Sequence, residues 1–171
     1  MIQVREETRE DILAIRAVNQ AAFTRTQEAD LVDSLRENCR KVLSLVAGME
    51  NEVVGHILFS PVVISGGTGL IEGAGLASVA VAPEFQRRGI GAALINPGLR
   101  KLPQKGCPFI VVLGHPEYFP RFGFAPATRY GNQCEWKVPE MAFLILDPIA
   151  MKDGQGAARY RSELSHFGDV V

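Results

Sequence analysis

Residues 78–94 read Ser78-Val79-Ala80-Val81-Ala82-Pro83-Glu84-Phe85-Gln86-Arg87-Arg88-Gly89-Ile90-Gly91-Ala92-Ala93-Leu94. An apolar run of strand length ends at Pro83, a loop carrying Arg87 and Arg88 follows, and Gly89 and Gly91 flank Ile90 where a helical pattern begins. Helix N-termini leave backbone N–H groups without partners and carry partial positive charge. Glycine lets a backbone approach a ligand closely, and the two arginines add charge beside it. This combination predicts a phosphate or pyrophosphate site. Other phosphate motifs fit less well. A Walker A loop ends in Gly-Lys-Ser/Thr, whereas Ala92-Ala93 follows here. A dinucleotide fingerprint places its glycines after the first strand of a parallel unit, with an acidic ribose ligand about 20 residues on. Here a hairpin precedes the strand, and no acidic residue stands at that distance.

Upstream, Ile2-Gln3-Val4-Arg5 alternates as a short strand does. Thr8 and Asp11 have the spacing of a helix N-cap and an acidic first turn. Ile12, Ile15, Val18 and Ala22 recur at helical spacing, which predicts a helix over about 10–23. A second follows over about 28–37, with Leu31, Val32 and Leu35 on one face. Residues 42–49 and 53–63 read as strands of an antiparallel hairpin turned by Glu50-Asn51. The loop Gly66-Gly67-Thr68-Gly69 leads into a strand over 70–81, where Gly73 and Gly75 indicate a bulge or a close backbone approach.

Downstream, the helix starting at Gly89 carries Asn96-Pro97-Gly98 in its middle. An interior proline costs ~3 kcal/mol, so the helix is expected either to break near Asn96 or to kink. Residues 109–113 form an apolar run fit for mid-sheet, 117–121 a short helix with prolines, and 142–146 the last clear strand. The polar stretch from Met151 is given no structure. The expected architecture is α+β or mixed α/β, with a central, mostly antiparallel sheet flanked by helices. Residues 1–150 form one domain, and 151–171 a tail that is either packed on it or partly disordered.

Gln86-Arg87-Arg88-Gly89-Ile90-Gly91 resembles the GNAT signature Gln/Arg-x-x-Gly-x-Gly/Ala, and 79–85 resembles that family's preceding strand and loop. The run 109–113 followed by Tyr118-Phe119-Pro120-Arg121-Phe122-Gly123-Phe124 is similar to the family's later strand, short helix and Gly-Phe turn. Gly-Cys-Pro-Phe around Cys107 and Gly-His-Pro-Glu-Tyr around His115 resemble a YhbS-like bacterial subgroup. The resemblance implies an acyl-CoA-dependent N-acetyltransferase in which two parallel strands, 76–81 and 109–113, splay apart around acetyl-CoA. It also implies that the Val79-Ala80-Val81 backbone pairs with the pantetheine amides. Gln86, Arg87, Arg88, Gly89, Ile90, Gly91 and Ala92 would hold the pyrophosphate.

Attack of an amine on a thioester needs a base for the amine, a donor for the oxyanion and a proton for the departing thiolate. The family often places a tyrosine four residues before the glycine of the Gly-Phe turn as the acid, but Phe119 stands there and Tyr118 is its neighbour. Either Tyr118 substitutes, or solvent protonates the thiolate, or catalysis is weak or absent. The backbone N–H of Val79 would serve the oxyanion, as in the family. For a base, the family often carries a glutamate on the strand before the signature; the nearest here is Glu72, with Ala77 and Ser78 further along, and it either acts directly or through water or has only a sheet-edge or loop role. His115, beside Glu117, is the other candidate, because imidazole titrates near neutrality; the alternative is that His115-Pro116 shapes a turn. His56 is read as structural, and Arg121 as a surface ion-pair former, the alternative being a contact with cofactor or acceptor. An alternative function is an acyl-CoA sensor or interaction module without significant turnover. A nucleoside-triphosphate enzyme would need a phosphate lysine and metal ligands that are missing.

Composition bounds these readings. The chain has 171 residues, 47% apolar and 22% charged, and a formal net charge of -1, which suits one globular domain. That balance excludes a general nucleic-acid or membrane-surface binder. Cys39, Cys107 and Cys134 are far apart and form no C-x-x-C pair, so neither a metal site nor a dithiol is expected. No apolar signal core opens the sequence and no run approaches the ~20 residues needed to span a bilayer, so a cytoplasmic protein with reduced thiols is expected. The expected partners are acetyl-CoA and an amine acceptor, with a homodimer by analogy alone.

Overall fold

The computed structural model describes residues 1–66, 69–146 and 156–167. They group into two compact units, residues 1–60 with 77–101 and residues 61–76 with 102–171.

In the first unit, β1 (Gln3–Glu6) pairs antiparallel with β2 (Leu43–Met49), which pairs with the start of β3 (Glu52–Gly66). Glu50 and Asn51 turn the hairpin with φ of 51° and 67°, the left-handed pair that matches strand twist. Thr8 caps the next element: its backbone N–H donates to Asp11 Oδ2 at 2.7 Å and its hydroxyl to the same oxygen at 2.9 Å. A 3-10 turn over Arg9–Asp11 then runs into α1 (Ile12–Phe23), followed by α2 (Gln27–Asn38). Ile15 and Val18 of α1 and Leu31, Val32 and Leu35 of α2 are buried, as their spacing predicts.

The strand β4 (Gly69–Val81) ends this unit's sheet segment, and α3 (Ile90–Gln104) follows it. α3 does not break at Asn96, the first of the two expectations; one helical element runs through Pro97. Ile90, Leu94 and Ile95 are fully buried, and a Cβ on Gly98 would come within 2.5 Å of the Phe59 ring. Burial of that face offsets the backbone bond that proline removes.

In the second unit, β4 pairs in parallel with β5 (Ile110–Leu113) over Ala74–Leu76 and Ile110–Val112. β8 (Phe143–Leu146) pairs antiparallel with β5 and with the short β6 (Ala125–Pro126). Gly73 and Gly75 mark close approaches, as expected. A Cβ at Gly73 would lie 2.6 Å from Phe109, and one at Gly75 2.6 Å from Val62 and 2.8 Å from Tyr160. Val62, Ile64, Phe109, Val111, Phe143 and Ile145 form the apolar core.

The sequence reading missed several elements here. Part of the tail is ordered as β9 (Gly156–Tyr160), antiparallel to β3 at Val62–Ile64 and parallel to β7 (Asn132–Cys134). Residues 151–155 and 168–171 of the tail, and Gly67 and Thr68 of the glycine loop, lie outside the described residues. The helix expected over 117–121 is instead a 3-10 turn at Phe119–Phe122 with proline in its first turn. The fold class stands as expected: mixed α+β, with parallel and antiparallel pairings and accompanying helices. The cysteines are free, and no described helix is long and apolar enough to cross a membrane.

Candidate active site

At the end of β4 the pleat separates two kinds of residue. Ser78 and Ala80 are buried, while Ala77, Val79 and Val81 are half-buried on the other face. The parallel ladder with β5 covers Ala74–Leu76, whereas β4 continues to Val81. A 3-10 turn at Pro83–Phe85 then redirects the chain. Gln86 is extended, with φ -64° and ψ 159°, and its side-chain amide donates to the Val81 carbonyl at 3.0 Å, tying the loop to the strand.

Arg87 and Gly89 have φ of 61° and 80°. Left-handed backbone is ordinary for glycine and costly for arginine. A Cβ at Gly89 would meet nothing within 4 Å. The Gly89 carbonyl accepts from Ala93 N–H at 2.9 Å, which makes Gly89 the helix cap. The N–H groups of Ile90, Gly91 and Ala92 therefore point out of the first turn of α3. Ile90 is buried and anchors that turn, while Gln86, Arg87, Arg88 and Gly89 are exposed. The Arg88 guanidinium lies 5.5 Å from the Phe85 ring centroid. An open helix start with two exposed arginines can hold a phosphate or pyrophosphate.

The second unit brings other candidates together. His115, Pro116, Glu117, Tyr118 and Arg121 line one open recess of about 520 Å³. Tyr118 N–H donates to the His115 carbonyl at 3.1 Å. The Arg121 guanidinium lies 4.5 Å from the centre of the Tyr118 ring, and its Nε donates to the Tyr118 carbonyl at 3.0 Å. Arg121, expected to form a surface ion pair, thus braces the tyrosine instead. Phe119, at the family's tyrosine position, is 5% exposed and packs so tightly that a Cβ on Gly114 would lie 2.3 Å from its ring. Glu72 is exposed on β4 and is not among the residues lining the recess. Burial raises the pKa of the Cys107 thiol, and the charge of Glu72 adds to that rise.

His56 is fully buried in the first unit, with Nδ1 3.1 Å from Asn19 Nδ2 and Nε2 2.9 Å from Ser44 Oγ. Both ring nitrogens are occupied, so it has no lone pair for a substrate. The sequence reading attached no role to Asn19, Ser44 or Ser78, although each is a polar residue in an apolar pattern. Among the described residues, no group of acidic, histidine and cysteine side chains is arranged to hold a metal ion.

Comparison with known proteins bears on this arrangement. The Acetyltransferase (GNAT) family matches residues 12–124. The uncharacterized N-acetyltransferase YjhQ of Escherichia coli is 42% identical over 76% of this chain and 74% of its own. The uncharacterized N-acetyltransferase YhbS of the same species is 32% identical over 96% of this chain and 99% of its own. The crystal structure of E. coli YhbS in complex with CoA has a TM-score of 0.89 at 31% identity, covering 97% of this chain and 93% of that one. A GNAT family acetyltransferase from Brucella melitensis in complex with acetyl-CoA gives 0.79 at 33% identity, covering 96% and 99%. The family match includes the strand, the arginine loop and the glycine-led helix start, and on this combined ground the chain belongs to the acetyltransferase (GNAT) family.

Proposed function

We propose that this protein transfers an acetyl group from acetyl-CoA directly to a primary amine of a small molecule or protein. The observation that carries the reading is the left-handed turn at Arg87 and Gly89, which leads into the open N-terminus of α3. Gln86, Arg87, Arg88, Gly89, Ile90, Gly91 and Ala92 hold the pyrophosphate through backbone N–H groups and local positive charge. The Val79-Ala80-Val81 backbone, continuing past the short parallel ladder, pairs with the pantetheine amides. The CoA-bound YhbS and acetyl-CoA-bound Brucella structures support this assignment.

In the reaction, the amine nitrogen loses a proton and attacks the thioester carbonyl, the Val79 N–H stabilises the oxyanion, and the C–S bond breaks as the thiolate takes up a proton. Tyr118 is the candidate donor to the thiolate, and His115, which shares its recess, the candidate base. Glu72 has less support, because it is not part of that lining. A second reading, acyl-CoA binding without significant turnover, is favoured by one observation: Phe119 fills the family's tyrosine position as a buried core side chain.

Calorimetric titration with acetyl-CoA, followed by a free-thiol assay against a panel of amines, separates the readings. Binding with amine-dependent CoA release establishes the transferase. Binding with no release above hydrolysis supports the sensor, and absence of binding overturns both.

A further inference from the structure

A connected file of polar side chains runs through the interior of the first unit. Ser78 Oγ on β4 donates to Asn19 Oδ1 on α1 at 2.8 Å. Asn19 Nδ2 donates to the Ile15 carbonyl at 2.9 Å and meets His56 Nδ1 at 3.1 Å. His56 Nε2 lies 2.9 Å from Ser44 Oγ on β2, and Ser44 hydrogen-bonds Glu7 Oε2. Arg36 Nε and Nη2 donate to the Glu7 carboxylate at 2.7 and 3.1 Å. Ser78, Asn19, His56 and Ser44 are all 7% exposed or less.

The proton positions follow from the partners. An amide nitrogen only donates, so Asn19 Nδ2 gives its hydrogens to Ile15 and to His56 Nδ1. The imidazole proton therefore sits on Nε2 and points at Ser44, whose own proton goes to Glu7. From Ser78 to Glu7, each link of the file donates in the same direction, toward the carboxylate. That anion polarises each link and makes the next atom a better acceptor, back to the carbonyl oxygen that receives the Ser78 proton. Burial holds the His56 pKa down at about 4, against the Glu7 and Asp33 charges that raise it and with the Arg36 charge that lowers it, so the ring is neutral at physiological pH. The file is no proton wire, because the Asn19 amide cannot pass a proton on. Buried polar files of this kind contribute less stability than packed apolar side chains of the same volume, but fully satisfied they fix a position.

The position fixed is Ser78, whose neighbour Val79 carries the N–H to which the proposed function gives the thioester oxygen. We infer that Asn19, His56 and Ser78 are positioning residues, which hold this end of β4 so that the Val79 N–H is aimed at the thioester carbonyl. This rests on the proposed acetyl-CoA site and goes beyond it, since none of the three needs to touch the ligand.

The test is infrared difference spectroscopy of acetyl-CoA isotopically labelled at its thioester carbonyl, bound to the full chain, with affinity from calorimetry and folding from circular dichroism. The wild-type protein is expected to lower the carbonyl frequency relative to free acetyl-CoA. Ser78→Ala and Asn19→Ala should lose most of that lowering, Ser44→Ala a smaller part, and Ser78→Thr, which keeps the hydroxyl, should retain it. Affinity should fall by no more than about tenfold, because the pyrophosphate contacts lie in a separate segment and only the pantetheine pairing at Val79–Val81 adjoins Ser78. A folded Ser78→Ala variant with the wild-type band overturns the inference, and so does a wild-type complex whose band is not lowered; in both cases acetyl-CoA binding stands. If the wild-type chain binds no acetyl-CoA, the proposed function fails first and takes this inference with it. Should Asn19→Ala not fold, the paired Ser78 variants carry the test alone.

Discussion

The loop at 86–92 and the recess behind 115–121 both carry motifs of the same family, yet they are made of different material. The loop is built of backbone: positive φ at Arg87 and Gly89, open space at Gly89, and the first N–H groups of α3. Its side chains matter mainly for charge. The recess works through side chains: a histidine, a glutamate, a tyrosine and an arginine around an open hollow, with an apolar Phe119 sealed beneath. Backbone geometry tolerates little variation, because only a few residues adopt it. Side-chain chemistry can be exchanged by single substitutions while the frame stays. Under the proposed function, the first region holds the cofactor and the second supplies acid and base.

The largest expected effect tests the backbone half. Gly91→Glu sets a carboxylate at the open helix start and should weaken acetyl-CoA binding at least about a thousandfold, or about 4 kcal/mol. Calorimetry on the folded variant checks it, and undiminished affinity breaks the placement of the site.

Next comes the scaffold under that half. His56 has its folded pKa depressed to about 4, chiefly by burial, whereas an unfolded histidine titrates near 6.5. The unfolded chain then binds more protons between those values, so stability is full above about pH 6.5 and declines as pH falls toward 4, by roughly 3 kcal/mol at most. Urea denaturation across that range should show the decline, and His56→Gln should flatten it. An equal slope in both proteins would mean that other groups set the acid sensitivity.

The recess should respond more mildly. Tyr118→Phe is expected to lower turnover about tenfold with acetyl-CoA affinity unchanged, because a thiolate is a good leaving group and needs only modest acid assistance. Phe119→Tyr restores the residue type usual in the family but buries a hydroxyl beneath Gly114. It should cost about 1–2 kcal/mol of stability without raising turnover; a faster enzyme would move the acid from Tyr118 to position 119. Smallest is Arg88→Ala, with a loss of affinity of about two- to fivefold at an exposed charge, and a steeper loss would give side chains a larger share of the loop than backbone.

Much of the fold was legible because the relevant signals are local. The turn at Glu50-Asn51, the cap at Thr8 and the glycines at 73 and 75 each declare their own geometry. Elements that depend on distant partners were not legible. Gly156–Tyr160 has no strong strand pattern and becomes a strand because β3 and β7 offer it ladders. α3 survives Pro97 because its buried face includes Gly98 seated against Phe59. The loop of the candidate site was readable for the same reason as the turns. The file from Ser78 to Glu7 was not, since Ser78 and Asn19 are 59 positions apart and Asn19 and His56 are 37 apart. The faint signal available was an asparagine on the helix face that otherwise carries Ile15 and Val18.

The pairing of β9 with β3 also sets a timetable for synthesis. The backbone of Val62–Ile64 has its β9 partner only after Ala158, Arg159 and Tyr160 have been translated. Until then, a nascent chain on the ribosome presents an open ladder beside a valine and an isoleucine of its apolar core, which is the kind of edge that recruits other strands. The second unit therefore completes itself late in synthesis, and a stalled or prematurely ended chain lacking residues 156–160 should be a substrate for chaperones rather than a smaller enzyme.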